Sequence, residues 1–166
     1  LIELGCALRK AKIPGFETIC VYSGEQKPET LQRINEKNGL SFCGYLAGEE
    51  VEKLLGRSKF LIIIEAFGKE AVCRTRYSLS TKVAESLRSG ACILAYGPQD
   101  VASISYLQHY QAACILSSAG ELPGAVKRLC AEPDAYTNYV RTAMQLADRF
   151  HNAEKIEKMM NDILQK

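Results

Sequence analysis

Short apolar runs alternate with stretches of helical periodicity along almost the whole chain, and this alternation constrains the fold more than any other feature. Leu1, Leu4, Leu8 and Ala11 recur at helical spacing until Pro14-Gly15, a pair that does not continue a helix. "TICVY" (Thr18 to Tyr22) then reads as a strand. Pro28 suits a helix start, with Leu31 and Ile34 expected on the buried face. "LSFCGYL" predicts a strand ending at Gly44, and "GEEVEKLL" a helix with acids in its first turn. "KFLIII" is apolar throughout, as a central parallel strand covered on both faces should be.

The connection from Glu65 to Leu79 is long for a βα loop, and long ordered loops tend to be functional. A helix closed by Gly90 follows, then the strand "ACILAY" and the turn "GPQD", whose Asp100 is placed to cap the next helix. "AACIL" is the last strand. Ser118 and Glu121 have capping-box spacing, with Pro123 near the helix start. From Asp134 the chain is helical: Tyr136, Val140, Ala143 and Ala147 share one face, and Ile156, Met159, Met160 and Ile163 share a face of the C-terminal helix within 151–166. Strand and helix alternating in this way predict a Rossmann-like, doubly wound parallel α/β sheet with helices on both faces, in one domain over residues 1–166.

Composition removes several classes of function. With 166 residues, 47% of them hydrophobic, the chain can bury one ordinary core. A net charge of +2 gives no electrostatic case for nucleic acid as a partner. Apolar runs such as Phe60 to Ile64 are far short of the ~20 residues that span a bilayer. The chain opens mid-helix and without an initiator Met, which suggests a piece of a longer protein. Cys6, Cys20, Cys43, Cys73, Cys92, Cys114 and Cys130 form no C-x-x-C pair and mostly sit in apolar runs. They are expected to be free thiols in a reducing, cytoplasmic setting, with only Cys73, beside two arginines, in a thiolate-favouring environment.

Ligands of doubly wound sheets bind beyond the carboxyl ends of the strands. One stretch at such an end, "TRYSLSTKVAESLRSG" (Thr75 to Gly90), crowds Ser78, Ser80 and Thr81 before a helix, with Arg74, Arg76 and Lys82 close by. A hydroxyl before a helix is an ordinary N-cap; several hydroxyls among basic residues also make an anion cradle. Lys82 opposes the helix dipole, which prefers acids there, and a bound phosphate would reverse that sign. Glu85 can either support the helix start or accept the vicinal hydroxyls of a ribose. No G-x-G-x-x-G or Walker lysine loop is present, which argues against dinucleotide or P-loop chemistry. His109 and His151 lie in helical patterns away from the strand ends and are expected at the surface, and no metal site is expected.

Taken together, Phe42-Cys43-Gly44-Tyr45-Leu46 followed by "GEEVEKLLGRSK", and "LSTKVAESLRSGACILAYGPQDVASISYL", resemble the C-terminal, donor-binding domain of GT-B-fold glycosyltransferases of the group 1/family 4 type. The resemblance runs over essentially the full chain. It implies the nucleotide-sugar-binding half of a retaining transferase that moves a sugar from a nucleoside diphosphate sugar, a UDP-sugar by family prior, to a polysaccharide or lipid-linked glycan. It also implies an N-terminal acceptor-binding domain elsewhere, no cofactor, and a cytoplasmic protein compatible with peripheral attachment to the inner face of a membrane.

Residue by residue, the resemblance implies that Gly44, Tyr45 and Leu46 line the nucleobase. Leu79, Ser80, Thr81 and Lys82 would face the diphosphate, and Glu85 would hold the ribose as the second glutamate of the family's E-x7-E motif. Lys82, and after it Arg76, are the candidates for stabilising the departing diphosphate. The first motif glutamate falls at Tyr77, which leaves the donor-sugar contact to a different residue type. The family's first strand has no counterpart before Leu1. In the order 3-2-1-4-5-6 that strand is central, so a gap or a rearranged pairing is expected beside "TICVY", or else residues upstream that supply the strand. Two other readings share the pattern: a GT-B-fold nucleotide-sugar epimerase, and a degenerate non-enzymatic interaction module.

Overall fold

The computed structural model describes residues 1–164. Helix α1 (Ile2–Ala11) buries Leu4 and Leu8 and stops at Lys12, which takes the left-handed conformation. Strands β1 (Ile19–Val21) and β2 (Leu40–Phe42) pair in parallel, with Ile19 opposite Leu40. Between them lie α2 (Pro28–Arg33) and a 3-10 turn at Glu36–Asn38. Helix α2 buries no residue, so the face expected from Leu31 and Ile34 is not a core face; its six residues are too short to present one. Helix α3 (Gly48–Arg57) begins with the Glu50 carboxylate accepting from the Ala47 N–H at 2.9 Å.

Strands β3 (Phe60–Ile64), β4 (Cys92–Tyr96) and β5 (Cys114–Leu116) form a second parallel sheet in that order. Between β3 and β4 come α4 (Lys69–Thr75) and α5 (Thr81–Arg88); the segment expected as an open loop thus contains a helix of its own. Helix α6 (Ala102–His109) leads to β5. A 3-10 turn at Ala119–Glu121 precedes α7 (Leu122–Ala131), α8 (Pro133–Phe150) and α9 (Ala153–Leu164).

Strand β4 shows why the sheet is covered on both faces. Its side chains alternate with the strand period of two. Ile93 and Ala95 enter a core with Val83, Leu87, Ile104, Leu107 and Ala143, from α5, α6 and α8. Cys92 and Leu94 enter the opposite core with Leu4, Leu8, Leu122, Val126 and Leu129, from α1 and α7. The helices on α9's side differ: Ile156, Met159, Met160 and Ile163 share a stripe as expected, yet all four are exposed among the described residues.

The expected single sheet is two. Neither β1 nor β2 pairs with β3, β4 or β5. Beside "TICVY" the structure has the gap and not a rearranged pairing: β1 and β3 each pair on one side only and face a shared slot.

The cysteines divide differently from expectation. Cys20 and Cys43 are joined by a disulfide, their Cα atoms 6.7 Å apart. The parallel pairing causes this, since it sets Cys20 opposite Ser41 and so brings Cys43 diagonally within reach. The other five are free, and of these Cys92 and Cys114 are buried. Burial, and then the neighbouring Cys114, push the Cys92 thiol up to about 12, so it is an apolar core group and not a nucleophile. Cys73 is exposed.

Candidate functional site

Strands β1 and β2 run parallel, as do β3, β4 and β5, so within each sheet the carboxyl ends share one edge. There the chain leaves β1 at Tyr22 and Ser23, β3 at Glu65 and β4 at Gly97. The approach of β3 to β4 at this edge requires glycine at 97, where a Cβ would lie 2.7 Å from the Glu65 Cβ.

The stretch from Thr75 to Glu85 is pinned to this edge by α6. The Ala102 N–H donates to the Arg76 carbonyl at 2.8 Å. The Ser80 N–H donates to the hydroxyl of Ser103 at 3.2 Å, and Ser103 is fully buried. Arg76 and Asp100 form an ion pair in which both side chains are about half exposed. Asp100 therefore does not cap α6, whose N-cap is Val101; its carboxylate is engaged by the guanidinium instead.

The Asp100 carboxyl is held below its ordinary range, first by the hydrogen bond from Arg76. A depressed carboxylate contributes stability above the unfolded value and loses it as pH falls through the lower folded value. Arg76→Gln is expected to raise the Asp100 titration midpoint toward that of an ordinary aspartate, followed by carboxyl NMR. An unchanged midpoint would mean that the ion pair does not form in solution.

Helix α5 begins without a side-chain cap. Ser80 is the N-cap residue, but its hydroxyl makes no cap bond, so the ordinary reading of this serine is not the one adopted. Helix geometry leaves the Thr81 and Lys82 N–H groups without intrahelical acceptors, and the first turn carries no acid. The N-terminus keeps its partial positive charge, and Lys82 adds a full one.

Ser80 and Lys82 line a cavity of about 760 Å³ between β1 and β3. At its carboxyl end the cavity is lined by Tyr22, Glu65, Ser78, Ser80, Lys82 and Glu85. Burial raises the Tyr22 phenol, and the Glu85 carboxylate raises it further; both side chains line the slot. A basic side chain, free amides and hydroxyls lie together here, with a carboxylate one helical turn away: a set suited to a phosphorylated ligand that also offers hydroxyls.

Of the residues expected at a site, Ser80, Lys82 and Glu85 line this cavity. Thr81 is exposed as the first residue of α5. Arg76 lies on the same loop but pairs with Asp100. Tyr77 and Leu79 project outward, Tyr77 at 90% exposure. Gly44 holds positive φ and its carbonyl accepts from the Ser23 N–H at 3.0 Å, which fixes it at the end of β1; Tyr45 beyond it is exposed. These last residues share the carboxyl edge but do not line the cavity. Tyr22 was missed by the sequence reading: its place at a strand end was legible, but its sharing a cavity with Glu85 was not.

No family model matches the chain, and no curated protein matches it in sequence. Solved structures do match it in shape. The crystal structure of Anabaena HepE in complex with UDP superposes with a TM-score of 0.65 at 14% identity, over 96% of this chain and 44% of that one. The crystal structure of WaaG, a glycosyltransferase involved in lipopolysaccharide biosynthesis, superposes with a TM-score of 0.57 at 15% identity, over 89% of this chain and 38% of that one. The chain spans less than half the length of either. Its parallel strands, flanked by helices and carrying these cores, have a GT-B glycosyltransferase-like fold.

Proposed function

We propose that the chain is the donor-binding half of a retaining glycosyltransferase, holding a nucleoside diphosphate sugar for transfer to a polysaccharide or lipid-linked glycan. The observation that carries this is the uncapped N-terminus of α5 opening, with Lys82 and Glu85, onto the cavity at the carboxyl edge. The similarity in shape to a UDP complex supports it. In this reading the Thr81 and Lys82 amides and the Lys82 ammonium take the diphosphate. As the bond from the sugar to the diphosphate breaks, negative charge builds on the leaving oxygens, and these donors stabilise it without a metal. Glu85 accepts the ribose hydroxyls. Arg76, already committed to Asp100, serves to hold the loop. Acceptor binding falls to a separate domain, so the chain by itself binds donor but does not transfer sugar.

Calorimetric and NMR titration with UDP, GDP and NAD tests this. The expected result is saturable binding of one nucleoside diphosphate, with shifts at Ser80 to Glu85 and at Gly44 to Leu46. A second reading, a non-enzymatic interaction module, is favoured by the outward-facing Tyr77 where the family carries a glutamate. Absence of binding by all three nucleotides would select it.

A further inference from the structure

We infer that the Cys20–Cys43 disulfide is a reversible thiol switch: a dithiol reductant opens it in the folded protein, and its opening loosens β1, one wall of the cavity. Accessibility, local stability and position each lead there.

Cys20 and Cys43 are both exposed, so a thiolate can reach the bond without unfolding the chain. Exposed disulfides are the labile ones, and those that respond to reductant are drawn from them. The other five cysteines are free. Cys92 and Cys114 are buried, Cys6 and Cys130 are half-buried, and Cys73, though exposed, has no partner. One accessible bond among five free thiols is not the pattern of a scaffold built on disulfides.

Little else holds β1 in place. It buries no residue, and neither does α2. Strand β2 is anchored separately, through the fully buried Leu40 and the close contact of Gly39 with Gly5. What ties β1 to β2 is a short parallel ladder and the disulfide. The ladder is flanked by the Ile19 N–H donating to Gly39 and the Ser23 N–H donating to Gly44. Cys20 and Cys43 are 23 residues apart, so the bond restricts the whole segment between them. Cutting it leaves a unit with few buried apolar contacts, the kind that opens locally while the rest stays folded.

This unit borders the cavity. Thr18, Ile19, Cys20, Val21 and Tyr22 line it, opposite β3. Cys43 directly precedes Gly44, so the bond also bears on the contact between Gly44 and Ser23 at the carboxyl end of β1. The inference concerns this wall whatever the cavity holds, and is independent of the nucleotide reading.

The chemistry balances as an exchange. One thiolate of the dithiol attacks a sulfur of the pair; the other sulfur leaves with the bonding electrons and takes up a proton. The second thiol of the reductant, as thiolate, then displaces the protein sulfur from the mixed disulfide. Two electrons pass to the protein, two cysteine thiols form, and the dithiol leaves as its own disulfide. A small-molecule disulfide reverses the sequence, leaving as two thiols.

The test treats the full chain under native conditions with dithiothreitol and then with glutathione disulfide. Alkylation followed by mass spectrometry reads the thiols, and native-state hydrogen exchange reads the backbone. The bond is expected to open and to re-form. Reduction should speed exchange at the Ile19, Ser23 and Cys43 amides by at least about tenfold. The Glu65 and Cys92 amides, which bond between β3 and β4, should stay unchanged. Cys43→Ser should exchange like the reduced chain and no longer respond to dithiothreitol. A bond that opens only in denaturant would overturn the inference, as would thiols that glutathione disulfide does not rejoin. Equal exchange in the two redox states would do the same. So would equal acceleration at Glu65 and Cys92, because the disulfide would then support the whole fold and not one wall.

Discussion

Gly39→Ala is expected to destabilise the protein by about 2–5 kcal/mol, the combined cost of a left-handed non-glycine residue and of overpacking against backbone. Gly39 has φ of 68° at the end of the turn before β2. A Cβ there would overlap the Gly5 carbonyl oxygen and lie 2.7 Å from the Gly5 carbonyl carbon. The obstacle is main chain of α1, so no side-chain rotation relieves it. Gly5 is closed from its own side, since a Cβ on it would press on the Asn38 carbonyl and on Leu40. This paired-glycine contact lets α1 lie close on the start of β2, where Leu40 is fully buried. Gly24→Ala is the matched control: its Cβ meets nothing and its φ is ordinary, so a change within about 0.5 kcal/mol is expected. Urea unfolding of both variants decides the matter, and a Gly39→Ala variant as stable as Gly24→Ala would refute the close packing of α1.

Glu85→Gln is expected to weaken binding of the nucleoside diphosphate by about 1–3 kcal/mol, because a charged acceptor is lost from the ribose hydroxyls. The substitution is nearly isosteric. Glu85 is exposed, whereas its neighbours Ser86 and Leu87 carry the packing of α5. Tm should therefore hold while Kd rises, which separates a binding role from a structural one. Calorimetry with UDP reads the difference. An unchanged Kd would remove Glu85 from the ribose and leave it as a residue of a solvated helix face.

The two arms of the site differed in how legible they were. Ser80, Thr81, Lys82 and Glu85 could be picked out because helix starts have local rules, and a lysine where an acid belongs stands out against them. What surrounds them could not. Asp100 reads as an N-cap in sequence, but the fold brings Arg76 to it from a segment more than twenty residues away. Tyr22 reads as the end of a short strand, and only the packing puts it in the same cavity as Glu85. The cysteine pattern misled for the same reason: nothing local places Cys20 beside Cys43, whereas a parallel pair of strands in this register does.

The order of the five strands, the apolar character of β3 and β4 and a helix start just after Ser80 were determined by the sequence alone, whereas α4 was not. Periodicity and capping are properties of neighbouring residues, and each such signal is complete within a few positions. Tertiary structure alone decided that the sheet is split, that α2 covers nothing, and which groups meet across the slot. Those outcomes depend on contacts between residues far apart in the chain, whose pairing no local pattern records. The split sheet joins the two levels: β3 has the composition of an interior strand, and only the fold shows that one of its sides is still open.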